Sequence, residues 1–259
     1  VFSQSEKIQI ASLLAEAGID EVEAGIPVMG EDAREDIRQL SKEIRGVRLT
    51  NWCRAVEDDI MAAATCNTGS IHISFPGSSI LLSAFRKDRK WVRRQMETLI
   101  PLARKSFQFV SVGVQDSTRC DRSWLREMVR LAGECGAHRF RIADTVGLAT
   151  PMMIQELFFD ILADRPGLEL DFHGHNDLGM ATANTICAAA CGAQAVNVTV
   201  NGLGERAGNA CLEEIAAALP MHTQTGSTLD FAKVQQLCRL VSELTRRPIP
   251  KNKPITGAD

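Results

Sequence analysis

The residues best placed for chemistry sit in one short run, Asp171-Phe172-His173-Gly174-His175-Asn176-Asp177. Where such a run closes a β-strand, positions i and i+2 share a face, so His173 and His175 present two imidazoles side by side. Two imidazoles on a rigid strand suit a divalent metal completed by oxygen ligands and water. The alternative is a pair of hydrogen-bonded histidines without an ion. Asn176 and Asp177 then either orient the rings or form a turn.

Three further runs carry candidate site residues. Asn201-Gly202-Leu203-Gly204-Glu205-Arg206-Ala207-Gly208-Asn209 is a loop whose spaced glycines permit close backbone approach to a ligand, or a simple turn. Its polar candidates are Glu205, Arg206 and Asn209. In Arg141-Ile142-Ala143-Asp144-Thr145-Val146-Gly147, Thr145 can hydrogen-bond a substrate carboxylate or cap a turn. In Glu23-Ala24-Gly25-Ile26-Pro27, Glu23 faces either substrate or a salt-bridge partner.

These runs need a scaffold that brings them to one end. Glu16-Ala17-Gly18-Ile19, Asn67-Thr68-Gly69-Ser70, Glu134-Cys135-Gly136-Ala137 and Ala190-Cys191-Gly192-Ala193 read alike. Each ends a helical pattern with a glycine and leads into an alternating or β-branched run. Those runs are Glu21-Val22-Glu23, Ile71-His72-Ile73, Phe140-Arg141-Ile142 and Val196 to Val200. Weaker junctions lie at Gly46-Val47, Ser106-Phe107 and Gly167-Leu168. One βα unit therefore recurs about every 30 residues, the rhythm of a parallel sheet covered by helices. Eight such units make a (β/α)8 TIM barrel, whose active face lies at the carboxyl ends of the strands. The chain opens on a helix, with a capping box at Ser3 and Glu6 and an apolar stripe of Ile8, Ala11 and Leu14. The expectation is an α/β barrel whose first strand precedes Val1, with an open seven-stranded doubly wound sheet as the alternative. Residues 1–222 are expected to form the barrel domain with strands two to eight. Residues 223–259 would supply a C-terminal helix and the start of a linker. Within these, Gly208 to Leu219 and Thr228 to Arg247 read as helices, and Lys251 to Asp259 as an extended linker.

Composition removes several classes of function. There are 29 Lys+Arg and 32 Asp+Glu, a formal charge of −3, which argues against a polyanion binder. Tyr is absent and aromatics make up 5% of the chain, too few for a base-stacking surface. No apolar run is long enough for a membrane span, and Val1 to Gly18 is amphipathic, unlike a signal peptide. Eight cysteines with no C-x-x-C pair read as small buried hydrophobes in a reducing compartment; Cys187 and Cys191 lie four apart on a helical pattern. The expected setting is the cytoplasm, with neither nucleic acid nor membrane as partner.

Together, H-x-H-N-D-L-G, N-G-L-G-E-R-A-G-N, A-D-T-V-G and E-A-G-I-P stand in the order and spacing of the acyl-CoA-condensing TIM-barrel synthases. The sequence resembles the 2-isopropylmalate, homocitrate and citramalate synthase family over essentially its whole length. Ile26 to Gly30 and Val110 to Gly113 look most like the homocitrate synthase of nitrogen fixation. The resemblance implies a Claisen condensation of acetyl-CoA with a 2-oxo acid (2-oxoglutarate, 2-oxoisovalerate or pyruvate), in a homodimer using Mg, Mn, Zn or Co. It places His173 and His175 as metal ligands and Asn209 near the metal. It makes Thr145 a carboxylate binder and His72 a substrate-pocket histidine, a position that a core histidine could also fill.

Three departures follow from the same comparison of motifs. The family's Arg-Asp-Gly-Glu segment, with a further metal ligand, would precede Val1. A segment with a histidine that completes the neighbouring subunit's site would follow Asp259. The motif at Gln115-Asp116 usually reads Glu-Asp, and a neutral amide cannot take a proton at neutral pH. Gln115 and Glu205 thus stand as the candidate catalytic positions, and a member that binds metal or 2-oxo acid without turnover is the alternative function. A lyase of the same superfamily would usually carry a reactive Cys where this loop has Glu205-Arg206.

Overall fold

The computed structural model describes residues 2–164, 167–222 and 229–258. Helices and strands alternate: α1 (Gln4–Glu16), β1 (Glu21–Gly25), α2 (Glu31–Glu43), β2 (Arg48–Arg54), α3 (Glu57–Ala64), β3 (Ser70–Pro76), α4 (Ser79–Ala84), α5 (Arg89–Arg104) and β4 (Phe109–Gln115). They continue with α6 (Arg122–Glu134), β5 (Arg139–Asp144), α7 (Pro151–Leu162), β6 (Glu169–Gly174), α8 (Ala181–Ala190), β7 (Ala195–Asn197), α9 (Leu212–His222) and α10 (Phe231–Thr245). The seven strands form one sheet in chain order, and every neighbouring pair is parallel. A doubly wound sheet reverses its order at a switch point. No reversal occurs among the described strands, so the open-sheet alternative falls.

The sheet curls on itself. Flat, β1 and β5 would lie about 19 Å apart, four strand spacings. Instead Arg139 Nη1 on β5 is 2.7 Å from Glu21 Oε2 on β1, and Arg141 pairs with Glu23. Asn197 Nδ2 on β7 donates to Glu23 Oε1 at 3.2 Å. The fold is α/β, with seven of the eight strands of a (β/α)8 barrel wrapped round a shared interior.

Strand alternation explains the two faces. On β3, Ser70, His72 and Ser74 share one face, while Ile71, Ile73 and Phe75 share the other and are fully buried. The same division sets Arg139 and Arg141 against Phe140 and Ile142 on β5, and Asp171 and His173 against Leu170 and Phe172 on β6. The apolar faces meet Val92, Met96 and Ile100 of α5, Leu125 and Met128 of α6, and Leu157 and Phe158 of α7 in one core. Each such side chain contributes about 1.5–3 kcal/mol by leaving water. The greasy layer lies between sheet and helices, and the polar faces are left to line the interior.

α1 begins at the expected capping box: Ser3 Oγ accepts from Glu6 N at 3.4 Å, and Glu6 Oε2 accepts from Ser3 N at 2.6 Å. Leu13 and Ala17 at its end pack with Val234, Leu237 and Val241 of α10.

Several element boundaries differ from the sequence reading. The expected strand Val196 to Val200 stops at Asn197, because Thr199 pairs with Cys211 on its own returning loop. Gly208 to Cys211 form that returning limb, so the helix expected from Gly208 starts at Leu212. The last helix starts at Phe231, capped by Asp230, and Thr228 lies outside the described residues. Lys251 to Gly257 is no extended linker: it is folded in turns, and Lys253 Nζ lies 2.9 Å from buried Glu213 Oε1. Asp259 lies outside the described residues. None of the described cysteines is in a disulfide; Cys53, Cys66, Cys120 and Cys238 are buried, and Cys135, Cys187, Cys191 and Cys211 are half-buried. Among the described residues, no helix is long and apolar enough to cross a membrane.

Candidate active site

His173 sits on β6 one residue before its end, and His175 just beyond it. Strand alternation aims both rings inward, with centroids 4.9 Å apart and planes perpendicular. Their Nε2 atoms converge to 3.1 Å. Burial, then the Arg141 guanidinium and His175, push the His173 imidazole down to about 4. Burial and the Arg206 guanidinium also lower His175. Both rings are therefore neutral at pH 7, the form that ligates a metal. One proton between the two nitrogens can satisfy them without an ion; a divalent cation accepts both lone pairs.

A third donor stands beside them. The backbone of Asn209 forms an antiparallel bridge with that of His175, and Asn209 Oδ1 is buried with no hydrogen-bond partner among the described residues. Two neutral imidazole nitrogens and one amide oxygen make a mixed N/O donor set that fits a divalent transition metal.

Of the two reasons expected for the glycines that deliver Asn209, the turn is the one their neighbours support. A Cβ on Gly208 would lie 2.2 Å from the Gly202 carbonyl oxygen, and one on Gly204 would lie 2.6 Å from Asn209 Nδ2. The loop needs glycine to close on itself, which is the turn alternative of the sequence reading rather than approach to a ligand. Asn209 N donates to Gly202 O at 3.0 Å and Asn176 N to Gly208 O at 2.9 Å, which locks the loop to the residue after His175.

Thr145, beyond β5, accepts from Asp116 N at 2.7 Å through its hydroxyl. Its own proton remains available to a ligand oxygen. Asp116 holds that position in a left-handed conformation, φ 60°, with its buried carboxylate on Arg119 at 2.7 Å and Ser78 Oγ at 2.5 Å. Gln115, the last residue of β4, is half-buried, and its side chain makes no hydrogen bond among the described residues.

His72 is buried on β3, with Nδ1 2.9 Å from Ser111 Oγ. Burial, Arg141 and His173 hold its imidazole well below the ordinary range. Its ring fits only because residue 113 is glycine: a Cβ there would lie 2.7 Å from both Cε1 and Nε2.

Glu23 shares Arg141 with Asp171, whose Oδ2 accepts from Arg141 Nε at 2.6 Å. Burial pushes the Asp171 carboxyl up, and the guanidinium opposes it. Glu205 stands apart, its side chain 81% exposed and 3.5 Å from Arg206. Arg206 is pinned by Asp177 at 2.8 Å and by the Thr145 carbonyl oxygen at 2.8 Å.

The structure thus gathers His173, His175 and Asn209, and sets Glu23 on β1, His72 on β3 and Thr145 just past β5 around the same interior. Glu205 lies at the outer rim. Arg141, Asp171 and Asp116 escaped the sequence reading. The first two were legible as charges at i−2 and on the facing strand of the alternation; the left-handed Asp116 left no sequence signal. Another ligand-like cluster, Cys211, Glu213 and Glu214, has its donor atoms within 4.8 Å of one another. Lys253 Nζ sits among them, 3.0 Å from Glu214, so a cation already meets that charge.

Comparison with known proteins gives these observations a context. Residues 1–241 match the HMGL-like family. The chain is 38% identical over 258 residues to a 2-isopropylmalate synthase of Caldanaerobacter subterraneus, covering 99% of this chain and 67% of that one. It is 38% identical over 257 residues to a homocitrate synthase of Frankia alni, covering 99% and 73%. It is 37% identical over 254 residues to an (R)-citramalate synthase of Methanocaldococcus jannaschii, covering 98% of this chain but 52% of that one. In fold it is similar to the Bacillus subtilis HMG-CoA lyase, with a TM-score of 0.83 at 18% identity over 96% of this chain and 89% of that one.

Proposed function

The chain belongs to the HMGL-like family, and on that premise we propose that it is an acyltransferase that condenses acetyl-CoA with a 2-oxo acid in a metal-dependent Claisen reaction. The observation that carries the reading is the convergence of His173 Nε2 and His175 Nε2, 3.1 Å apart, beside the unpartnered Asn209 Oδ1. These three atoms would hold the metal, which supplies Lewis acidity toward the keto and carboxylate oxygens of the 2-oxo acid.

The remaining steps belong to side chains. Thr145 donates its free hydroxyl proton to a substrate carboxylate oxygen. His72, neutral and fixed by Ser111, borders the same interior as a hydrogen-bonding group for substrate. Glu23, held by Arg141 and Asn197, bounds it on the β1 side. The new carbon–carbon bond joins the acetyl methyl carbon to the keto carbon. The methyl proton passes to a base, the keto oxygen gains a proton, and water cleaves the thioester to release CoA thiol. Gln115 cannot take the methyl proton; Glu205, the other candidate, lies exposed at the rim and would have to turn inward to take it. The homocitrate synthase-like substrate, 2-oxoglutarate, the homodimer and the cytoplasmic location belong to the same proposal.

A second reading, a member that binds metal or 2-oxo acid without turnover, is favoured by one observation: the amide at Gln115. The test is thiol release from acetyl-CoA by the full-length protein with Mn²⁺ or Mg²⁺, using 2-oxoglutarate, 2-oxoisovalerate and pyruvate in turn. Release that depends on one acid and disappears in His173→Ala supports the synthase and names its substrate. No release with any acid, from protein that binds metal, supports the second reading; Gln115→Glu would then restore turnover.

A further inference from the structure

The C-terminal segment reaches back to the start of α9 through Lys253. Lys253 is mostly buried, and its ammonium lies 2.9 Å from Glu213 Oε1, 3.0 Å from Glu214 Oε1 and 3.3 Å from Cys211 Sγ. Glu213 is fully buried at the start of α9. A buried carboxylate needs a counter-charge, and removal of one partner from such a pair leaves the other stranded. Lys253 is that counter-charge.

The contact does not end at Glu213. Its second oxygen, Oε2, accepts from Asn201 N at 3.0 Å, where Asn201 is held at φ 56°. Asn201 Nδ2 donates to the Cys238 carbonyl oxygen of α10 at 2.8 Å, which anchors the same residue from the other side. The next residue, Gly202, accepts from Asn209 N at 3.0 Å, and Asn209 bridges to His175. An unbroken series of polar contacts and one peptide step thus joins Lys253 to the amide beside the two histidines.

We propose that Lys253 is a positioning residue for the metal site: it fixes Glu213, which fixes Asn201, so that the glycine loop presents Asn209 to a metal held by His173 and His175. The proposal rests on the reading of those three residues as metal donors. Lys253 touches no ligand; it acts through Asn209. The site at the mouth of the barrel then depends on a segment that the barrel strands do not include.

The test is Mn²⁺ affinity, measured by titration calorimetry on the full-length protein. The variants are Lys253→Met, Lys253→Arg, Asn209→Ala and the Lys253→Met/Asn209→Ala double, with His173→Ala as the reference. Outer residues that orient a ligand typically change metal affinity by about 10–100-fold, so Lys253→Met is expected to weaken Mn²⁺ at least tenfold. Lys253→Arg restores most of the loss by keeping the charge. In the Asn209→Ala background Lys253→Met has less than about a twofold effect, because coupled residues do not add. Should Lys253→Met not fold, Lys253→Met/Glu214→Gln removes one charge of each sign and takes its place in the cycle. Unchanged affinity in Lys253→Met, or the same loss with and without Asn209, overturns the proposal while the metal reading stands. Binding that is absent in the parent protein, or that survives His173→Ala, overturns the metal reading and this proposal with it.

Discussion

Near the lower end of the sheet, Glu21 accepts from Thr50 at 2.6 Å and pairs with Arg48 and Arg139, while Arg139 also meets Glu169. Arg48 and Arg139 both lie against the Phe109 ring, 3.9 and 4.8 Å from its centroid. At the upper end, His173 and His175 turn their Nε2 atoms on each other and Asn209 Oδ1 has no partner among the described residues. One barrel interior therefore holds two kinds of polar chemistry. Below, Glu21, Arg48, Arg139 and Glu169 each meet an opposite charge. Above, two imidazole nitrogens that have only each other stand beside an amide oxygen without a partner among the described residues. Buried polar groups are normally paired, so an exception at the strand ends marks a place for a ligand. Arg141 joins the layers: it binds Glu23 and Asp171 and helps depress His72 and His173.

Three experiments press on that division. The largest effect is expected from Arg141→Met, which strands Glu23 and Asp171 without their counter-charge. Breaking a buried pair costs about 3–5 kcal/mol, read as a fall in the urea midpoint. A loss no larger than that of a surface substitution would mean that the lower layer is not held by paired charge. Next is Gly113→Ala, at the boundary. The added methyl displaces the His72 ring, for which overpacking costs about 1–3 kcal/mol. Unchanged stability would show that the ring moves freely and that His72 is not fixed for substrate.

The smallest effect concerns pH and the upper layer. The folded values of His72 and His173 lie below the ordinary 6.5, with His173 at about 4. As pH falls through 6.5 the unfolded chain takes up protons first, so stability is greatest above that value and declines toward pH 4. Between pH 7 and 6 His173 contributes a loss of about 0.7 kcal/mol in the metal-free protein, and His72 a loss of the same sign. A urea midpoint that rises on acidification would contradict the neutral, desolvated state assigned to both rings.

Much of the scaffold was legible in the chain. The glycine that follows each helix pattern and the alternation of strands such as Arg139-Phe140-Arg141-Ile142 announce βα units, and their order along the sheet follows. The two histidines were legible because H-x-H at a strand end can only place both rings on one face. What escaped depends on contacts across the fold. Asp116 adopts positive φ because Arg119, Ser78 and Thr145 hold it from three sides, and no local pattern encodes that. The glycines of the Asn201–Asn209 loop were read either toward a ligand or as a turn, and only the fold, where their neighbours are the loop's own carbonyl and amide groups, decides for the turn. Lys253 looked like part of a linker because its partners, Glu213 and Glu214, are about 40 residues away in sequence.

The most direct test of the upper layer is X-ray absorption on full-length protein loaded with one equivalent of Zn²⁺. The account predicts two imidazole ligands with Zn–N near about 2.0–2.1 Å plus oxygen scatterers, and one imidazole fewer in His173→Ala. A spectrum dominated by sulfur, or one with two imidazoles undiminished in His173→Ala, would place the metal elsewhere and remove the foundation of the proposed chemistry.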